Sequence, residues 1–83
     1  MYKKYFTPNQ LKAARALVGW NQQQLAEASG AGVATIRVFE GGRSELQTGT
    51  ATIILQALDA AGVEFIPENG GGAGVRLKKD QTK

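Results

Sequence analysis

Side chains that could carry out catalysis are scarce in this sequence. It contains no cysteine and no histidine, which removes the thiolate nucleophile, the usual general base near neutral pH and the commonest metal ligands. Its seven acidic residues are scattered along the chain, and no two of them form an obvious catalytic pair. The composition therefore predicts a binding module rather than an enzyme, with no metal ion and no cofactor.

The basic character of the chain is modest and unevenly distributed. The formal charge is +3 and the isoelectric point about 9.5, a balance compatible with a nucleic-acid partner. Between Trp20 and Ile66, however, two arginines stand against five acidic residues. The positive surplus lies towards the two ends, at Lys3, Lys4, Lys12, Arg15, Arg76, Lys78, Lys79 and Lys83. Because affinity for phosphates grows with the number of cationic contacts, we expect binding of nucleic acid to depend on these flanks.

A capping signal predicts the first helix. Residues 7–10, Thr-Pro-Asn-Gln, combine a capping residue, a proline suited to the first turn and a glutamine that can complete a capping box. Apolar residues then recur at helical spacing up to Gly19, a natural stop. We predict a helix over about residues 8–18, with Lys12 and Arg15 on its solvent side.

Two shorter helices are predicted next. Asn21 begins the same capping pattern, before a helix that ends near Gly30. A third helix is predicted over 33–40, because Ile36 and Phe39 lie three residues apart and can face one core. The β-branched residues of this segment would also suit a strand. Glycine turns on both sides and the spacing of the core residues favour the helix.

A fourth helix and a hairpin complete the prediction. The helix begins near Thr48 or Thr50 and runs to Ala61. Residues 63–67 and 75–78 then alternate between apolar and polar side chains on either side of a glycine-rich connection, a pattern typical of a β-hairpin. We predict a single domain over 1–83, with a helical core over 7–62, the hairpin over 63–78 and a flexible tail over 79–83.

Residues 20–43, WNQQQLAEASGAGVATIRVFEGGR, contain two short predicted helices joined by a glycine turn. Their distinctive positions are Gln22, the pair Leu25-Ala26, Gly30 in the turn, Thr35-Ile36, Glu40 and the trailing Gly42-Arg43. With these features the segment resembles the helix-turn-helix of the phage repressor and Cro type, the XRE family. The resemblance extends over about residues 7–66. It implies a mainly α fold, a four- to five-helix repressor-like helix-turn-helix domain with a C-terminal β-hairpin, and a role in DNA binding.

The resemblance also implies a site. Gln22, with Gln23 beside it, opens the second helix and would contact a phosphate, since the N–H groups of a helix start attract anions. The start of the third helix would enter the major groove of double-stranded DNA. The candidates on that helix are Gly32, Val33, Ala34, Thr35, Arg37 and Val38. Arg43, in the loop that follows, would contact the DNA backbone.

The third helix departs from the family pattern at Val33, Ala34 and Val38, where family members often carry Gln, Arg, Ser or Asn. Apolar side chains can contact a thymine methyl group but cannot form bidentate hydrogen bonds with a base. Thr35 and Arg37 are then the polar candidates for base reading on this helix. The sequence therefore predicts modest specificity from the third helix.

Two functions from different classes fit this pattern. The first is a sequence-specific transcriptional regulator in the cytoplasm, a repressor or autoregulator, since the sequence shows no secretory signal and no apolar stretch long enough for a bilayer. One such helix reads few base pairs, so we expect a homodimer. Its predicted interface is one face of the hairpin, formed by Val63, Phe65, Val75 and Leu77. The second is an antiactivator or antitoxin that sequesters a protein partner, another regulator or a toxin, through the apolar face of the third helix. The two roles can coexist in one protein.

Overall fold

Four helices and a two-stranded hairpin make up residues 5–79, the part of the chain that the computed structural model describes. In chain order the elements are α1 (Pro8–Val18), α2 (Gln22–Ser29), α3 (Val33–Glu40), α4 (Thr48–Ala60), β1 (Val63–Ile66) and β2 (Gly74–Leu77). The predicted mainly α fold with a C-terminal hairpin is confirmed. None of these four helices is long and apolar enough to cross a membrane. The predicted tail from residue 80 onwards, and the basic residues Lys3 and Lys4, lie outside the described residues.

Capping boxes begin α1 and α2, as the sequence predicts. In α1 the backbone N–H of Gln10 donates to the Thr7 hydroxyl at 3.0 Å, and the Gln10 side-chain oxygen accepts from the Thr7 N–H at 2.8 Å. Asn21 and Gln24 form the same reciprocal pair at the start of α2, at 2.7 and 2.8 Å. Each cap contributes on the order of 1 kcal/mol. Local hydrogen bonds therefore fix where both helices begin.

The helices and the hairpin enclose an apolar core. Its largest fully buried side chains are Leu11, Leu25, Ile36, Ile54, Leu58 and Val63. Phe6 links α3 to the hairpin, because its ring centroid lies 5.6 Å from that of Phe39 and 5.1 Å from that of Phe65. Aromatic pairs at such separations contribute about 0.5–1.5 kcal/mol beyond the area that they bury. With Ile36 and Phe39 both buried, the opposite face of α3 must point away from the core.

Gln10 joins the start of α1 to the hairpin. Its side-chain amide donates to the carbonyl of Gly74 at 3.0 Å and, more weakly, to the carbonyl of Ile66 at 3.4 Å. These two residues face each other at the end of the hairpin where the connecting loop begins. A capping glutamine, predicted from the sequence for its local role, thus also anchors residues more than fifty positions away.

The face of the hairpin that carries Val63, Phe65, Val75 and Leu77 packs largely against the protein's own core. β1 and β2 are antiparallel, with Val63 opposite Leu77 and Phe65 opposite Val75. Val63 is 2% exposed, and Phe65 and Val75 are half-buried against the core. The prediction that Val63 contributes to a dimer interface is therefore wrong, because α1 and α4 already cover this face. Leu77 alone of the four is largely open to solvent, at 52% exposure.

Candidate nucleic-acid interface

The outward face of α3 is apolar at its centre and polar at its sides. Successive residues of a helix turn by about 100°, so the face opposite the buried Ile36, Phe39 and Glu40 is centred on Ala34 and Val38. Its flanks are given by the exposed side chains of Thr35 and Arg37. These four residues form what we call the α3 outward face. They share one surface, as the sequence predicts for a helix that contacts a partner.

Two other predicted contact residues, Val33 and Gly32, lie at the start of α3 and outside the α3 outward face. Val33 is half-buried and packs against the core, so only part of its side chain is available to a partner. Gly32 is the N-cap of α3 and supplies no side-chain cap. The first N–H groups of a helix have no acceptor within the helix. The start of α3 can therefore offer backbone donors to a partner.

A left-handed glycine places Arg43 beside the C-terminal end of α3. Gly42 has φ 77°, a conformation that is costly for residues with a Cβ atom. The turn that it makes brings the backbone N–H of Arg43 to the carbonyl of Val38, at 3.2 Å. The backbone of Arg43 is thereby held at the C-terminal end of α3, and its side chain is exposed. In the trailing Gly42-Arg43 pair of the motif, the glycine is thus needed for the left-handed turn that ends α3.

A shallow notch lies between α3 and the loop that follows it. Its volume is about 260 Å³, and it is lined by Ala34, Thr35, Val38, Ser44 and Glu45. The α3 residues in the lining are three of the four that form the α3 outward face. The notch therefore combines methyl groups of α3 with polar and acidic residues of the loop, Ser44 and Glu45.

A buried carboxylate, that of Glu40 at the end of α3, connects three helices. It accepts two hydrogen bonds from the Arg15 guanidinium of α1, each 2.7 Å long. The amide of Gln22, at the start of α2, donates to it at 2.9 Å. A further N–H of Arg15 donates to the carbonyl of Trp20 at 3.0 Å. This Glu40 network fixes the start of α2 relative to the end of α3.

Burial makes the Glu40 network a structural ion pair. The Glu40 side chain is 3% exposed and that of Arg15 is 18% exposed, so the predicted position of Arg15 on the solvent side of α1 is wrong. The hydrogen bond to Glu40 raises the pKa of Arg15, against the opposing effect of burial. A pair separated by twenty-five residues leaves no local signal in the sequence. The sequence offered one signal, an acidic residue directly after the core residue Phe39 at the end of α3.

The start of α2 presents backbone donors rather than a free glutamine side chain. The side-chain N–H of Gln22 is committed to Glu40, and that of Gln23 donates to Glu27 at 3.3 Å. Asn21 caps the backbone N–H of Gln24, which leaves the N–H groups of the two preceding residues without an intrahelical partner. The predicted phosphate contact at this helix start therefore depends on the backbone more than on amide side chains.

Three basic residues of the flanks that lie within residues 5–79 form ion pairs with carboxylates of the chain itself. Besides Arg15, Arg76 pairs with Glu64 at 3.1 Å, and Lys78 pairs with Asp59. The hydrogen bond from Arg76, reinforced by its charge, lowers the pKa of Glu64. These pairs weaken the expectation that binding of nucleic acid depends on the flanks. Cations engaged in this way are less available to an external anion.

Arg37 and Arg43 keep their charges exposed. Neither forms an ion pair with any residue of the described range 5–79, and the same holds for Lys12 on α1. Of these three cations, Arg37 lies on α3 and Arg43 lies in the loop that follows it. The only strongly basic feature near the predicted contact helix, within the described range, is this arginine pair.

Comparison with known proteins adds one finding to this geometry. A sequence model of a family described as helix-turn-helix matches residues 11–65, which is more than half of the chain and includes α2, the turn and α3. The comparison with curated proteins gave no match. The chain belongs to the XRE kind of helix-turn-helix family, a family of DNA-binding regulators.

Proposed function

We propose that this protein is a sequence-specific transcriptional regulator, a dimeric repressor that also controls its own gene, and that α3 enters the major groove of its operator. The observation that carries the proposal is the α3 outward face, which includes Arg37 and is followed in the next loop by Arg43; both arginines are exposed and form no ion pair within residues 5–79. A helix with one face in the core and an exposed cation on its outward face, followed by another in the next loop, suits the anionic major groove.

The exposed residues of the interface divide into two roles. Thr35 and Arg37 are the proposed base-reading side chains, because they are the polar members of the α3 outward face. Arg43 and the backbone N–H groups of Gln22 and Gln23 are the proposed phosphate contacts. The Glu40 network supports both roles, since it holds the start of α2 in position relative to α3.

Dimerisation supplies the affinity that one short helix lacks. One α3 reaches only a few base pairs, and two copies on half-sites roughly 34 Å apart combine their contacts. Leu77, with the exposed parts of Phe65 and Val75, is the proposed contact between the two copies. An exposed leucine at the end of a strand is a suitable anchor for a two-fold interface.

Selection of binding sites from a random duplex library, followed by affinity measurements, tests the proposal. The wild type is expected to enrich an inverted repeat. Arg37→Ala is expected to weaken binding to that repeat by about 1–3 kcal/mol, through loss of one bidentate base contact. Arg37→Lys is the matched control, because it retains the charge but not the planar fork. It should keep the salt dependence of the wild type while losing discrimination. Enrichment of no sequence would contradict the proposal.

A second candidate function rests on the apolar centre of the α3 outward face. Ala34 and Val38, together with the acidic excess between Trp20 and Ile66, suit a protein surface as well as DNA. In this alternative the protein is an antiactivator or antitoxin that sequesters another regulator or a toxin. Co-purification of the product of the neighbouring gene, retained by Arg37→Ala and lost by Val38→Lys, would support it.

A further inference from the structure

Asn69 lies in the connection between β1 and β2 and is followed directly by a glycine. The chain contains three asparagines, and this is the only one with glycine as its next residue. Residues 67–73, which form the connection, are all exposed. Asn69 therefore combines an accessible side-chain amide with a neighbouring peptide nitrogen that no Cβ atom shields.

The side chain of Asn69 is folded back along the chain. Its Oδ1 accepts a hydrogen bond from the backbone N–H of Gly71 at 3.3 Å, so the side-chain amide bends towards the intervening peptide nitrogen, that of Gly70. This nitrogen donates to no acceptor within residues 5–79. Gly70 has φ 98°, and apart from its chain neighbours nothing lies within 4 Å of the place where its Cβ would be. A nucleophile and an electrophile thus lie side by side in open space.

We propose that Asn69 is a site of spontaneous modification, at which the side-chain amide is converted to a carboxylate through a cyclic succinimide. The backbone nitrogen of Gly70 loses its proton and attacks Cγ of Asn69, and the new carbon–nitrogen bond closes the ring. The side-chain carbon–nitrogen bond breaks, and the leaving nitrogen takes up a proton and departs as ammonia. Water then opens the ring at either carbonyl. The products are aspartate and isoaspartate, in which the main chain runs through Cγ.

The hydrogen bond from Gly71 favours ring closure in two ways. It holds Cγ of Asn69 near the attacking nitrogen, which reduces the entropy cost of bringing the two atoms together. It also donates to the oxygen that becomes negatively charged when the nitrogen adds to the carbonyl group. The reaction needs only this connection and water, so the inference does not depend on the proposed function.

The two other asparagines are restrained by helix caps. Oδ1 of Asn21 accepts from the backbone N–H of Gln24 at 2.7 Å, so this cap must open before the amide can react. Asn9 lies in the first turn of α1. The nitrogen that would attack it, that of Gln10, donates to the Thr7 hydroxyl at 3.0 Å. Both asparagines therefore serve as internal references for the reaction at the hairpin.

The modification changes the charge of the hairpin and should leave the fold intact. It adds a carboxylate next to Glu68 and lowers the formal charge of +3 by one. Because residues 67–73 are exposed, the connection can accept either product, as surface loops generally accept changes in chain length.

Peptide mapping of the folded protein after incubation at neutral pH tests the proposal. Trypsin separates the three asparagines into residues 5–12, 16–37 and 44–76. Mass spectrometry then follows the exchange of –NH2 for –OH in each peptide, against an unaged sample digested in parallel. We expect Asn69 to react at least about tenfold faster than either reference, which corresponds to a barrier lower by about 1.4 kcal/mol. An isoaspartate-specific methyltransferase should label the same peptide.

Glycine variants connect the reaction to the attacking nitrogen. Gly70→Ala should slow it by about tenfold, because the added methyl group hinders attack and disfavours the positive φ. Gly72→Ala is the matched control, since Gly72 also has a positive φ, 88°, and open space around it, but its nitrogen takes no part. This variant should keep the wild-type rate within about twofold.

Three results would overturn the inference. The first is a rate at Asn69 no higher than at Asn9 or Asn21. The second is aspartate without isoaspartate, because direct hydrolysis of the amide by water cannot reroute the main chain. The third is an equal rate in Gly70→Ala and Gly72→Ala, because the nitrogen of Gly70 would then not be the attacking group.

Discussion

Removal of the Glu40 carboxylate is expected to destabilise the fold by about 3 kcal/mol. Glu40→Ala leaves the Arg15 guanidinium, 18% exposed, without its two 2.7 Å hydrogen bonds. Loss of one partner from a buried pair costs about 3–5 kcal/mol. The lower end applies because Arg15 retains some access to water and its bond to the Trp20 carbonyl. A domain of this length has a total stability of roughly 4–12 kcal/mol, so the loss is a large fraction of the whole.

Urea unfolding followed by tryptophan fluorescence measures this effect directly. Trp20 is the only tryptophan, and its carbonyl belongs to the Glu40 network. The double variant Arg15→Met with Glu40→Leu should recover most of the lost stability, because an apolar pair of similar volume replaces the buried charges at little cost. Glu64→Ala, which removes a carboxylate from an exposed pair, is the control and should shift the urea midpoint little.

Two results would refute the reasoning about Glu40. If Glu40→Ala and Glu64→Ala lower the urea midpoint equally, the buried Arg15–Glu40 pair contributes no more to the free energy of unfolding than the exposed pair does. If the double variant is as unstable as the sum of its two single changes, Arg15 and Glu40 do not act as a coupled pair.

Three further predictions concern charge and assembly. Arg43→Ala should reduce the slope of log K against log salt by about 0.9 in DNA-binding titrations. Arg76→Ala, which removes a cation already paired with Glu64, should leave the slope unchanged. Equal slopes for the two variants would argue against the phosphate role of Arg43. Leu77→Asp should convert a dimer to a monomer in sedimentation equilibrium with little change in monomer stability, and a dimer of unchanged strength would remove the hairpin as the interface. The pKa of Glu64 should lie below its ordinary value of 4.5 in a carboxyl NMR titration and return to it in Arg76→Ala. Because the folded-state pKa is lowered, the stabilising effect of this pair is present above about pH 4.5 and lost as the pH falls through the lowered value.

The local signals in the sequence predicted the elements well because the physics behind them is local. Both capping boxes join residues three positions apart, and their partners can be recognised in the sequence itself. The spacing of Ile36 and Phe39 indicated the buried face of α3, which in turn defined the outward face. Where one face of a helix is fixed by burial, the opposite face follows from the helical repeat.

Contacts between residues far apart in the sequence could not be predicted from local patterns. The alternation of β1 and β2 correctly placed Val63 and Leu77 on one face of the hairpin, but alternation does not reveal what covers that face. α1 and α4 cover it, so a face predicted to bind a second copy is mostly core. The role of Arg15 depends likewise on the packing of α1 against α3, since its charge alone suggested a solvent position.

The central claim is that the α3 outward face, with the start of α2, is the surface that binds DNA. Titration of isotopically labelled protein with its selected operator, followed by amide NMR at physiological salt, tests this claim most directly. We predict the largest chemical-shift changes at residues 32–38, at Arg43 and at the amides of Gln22 and Gln23. Shift changes confined to the hairpin or to α1, with α3 unaffected, would contradict the account.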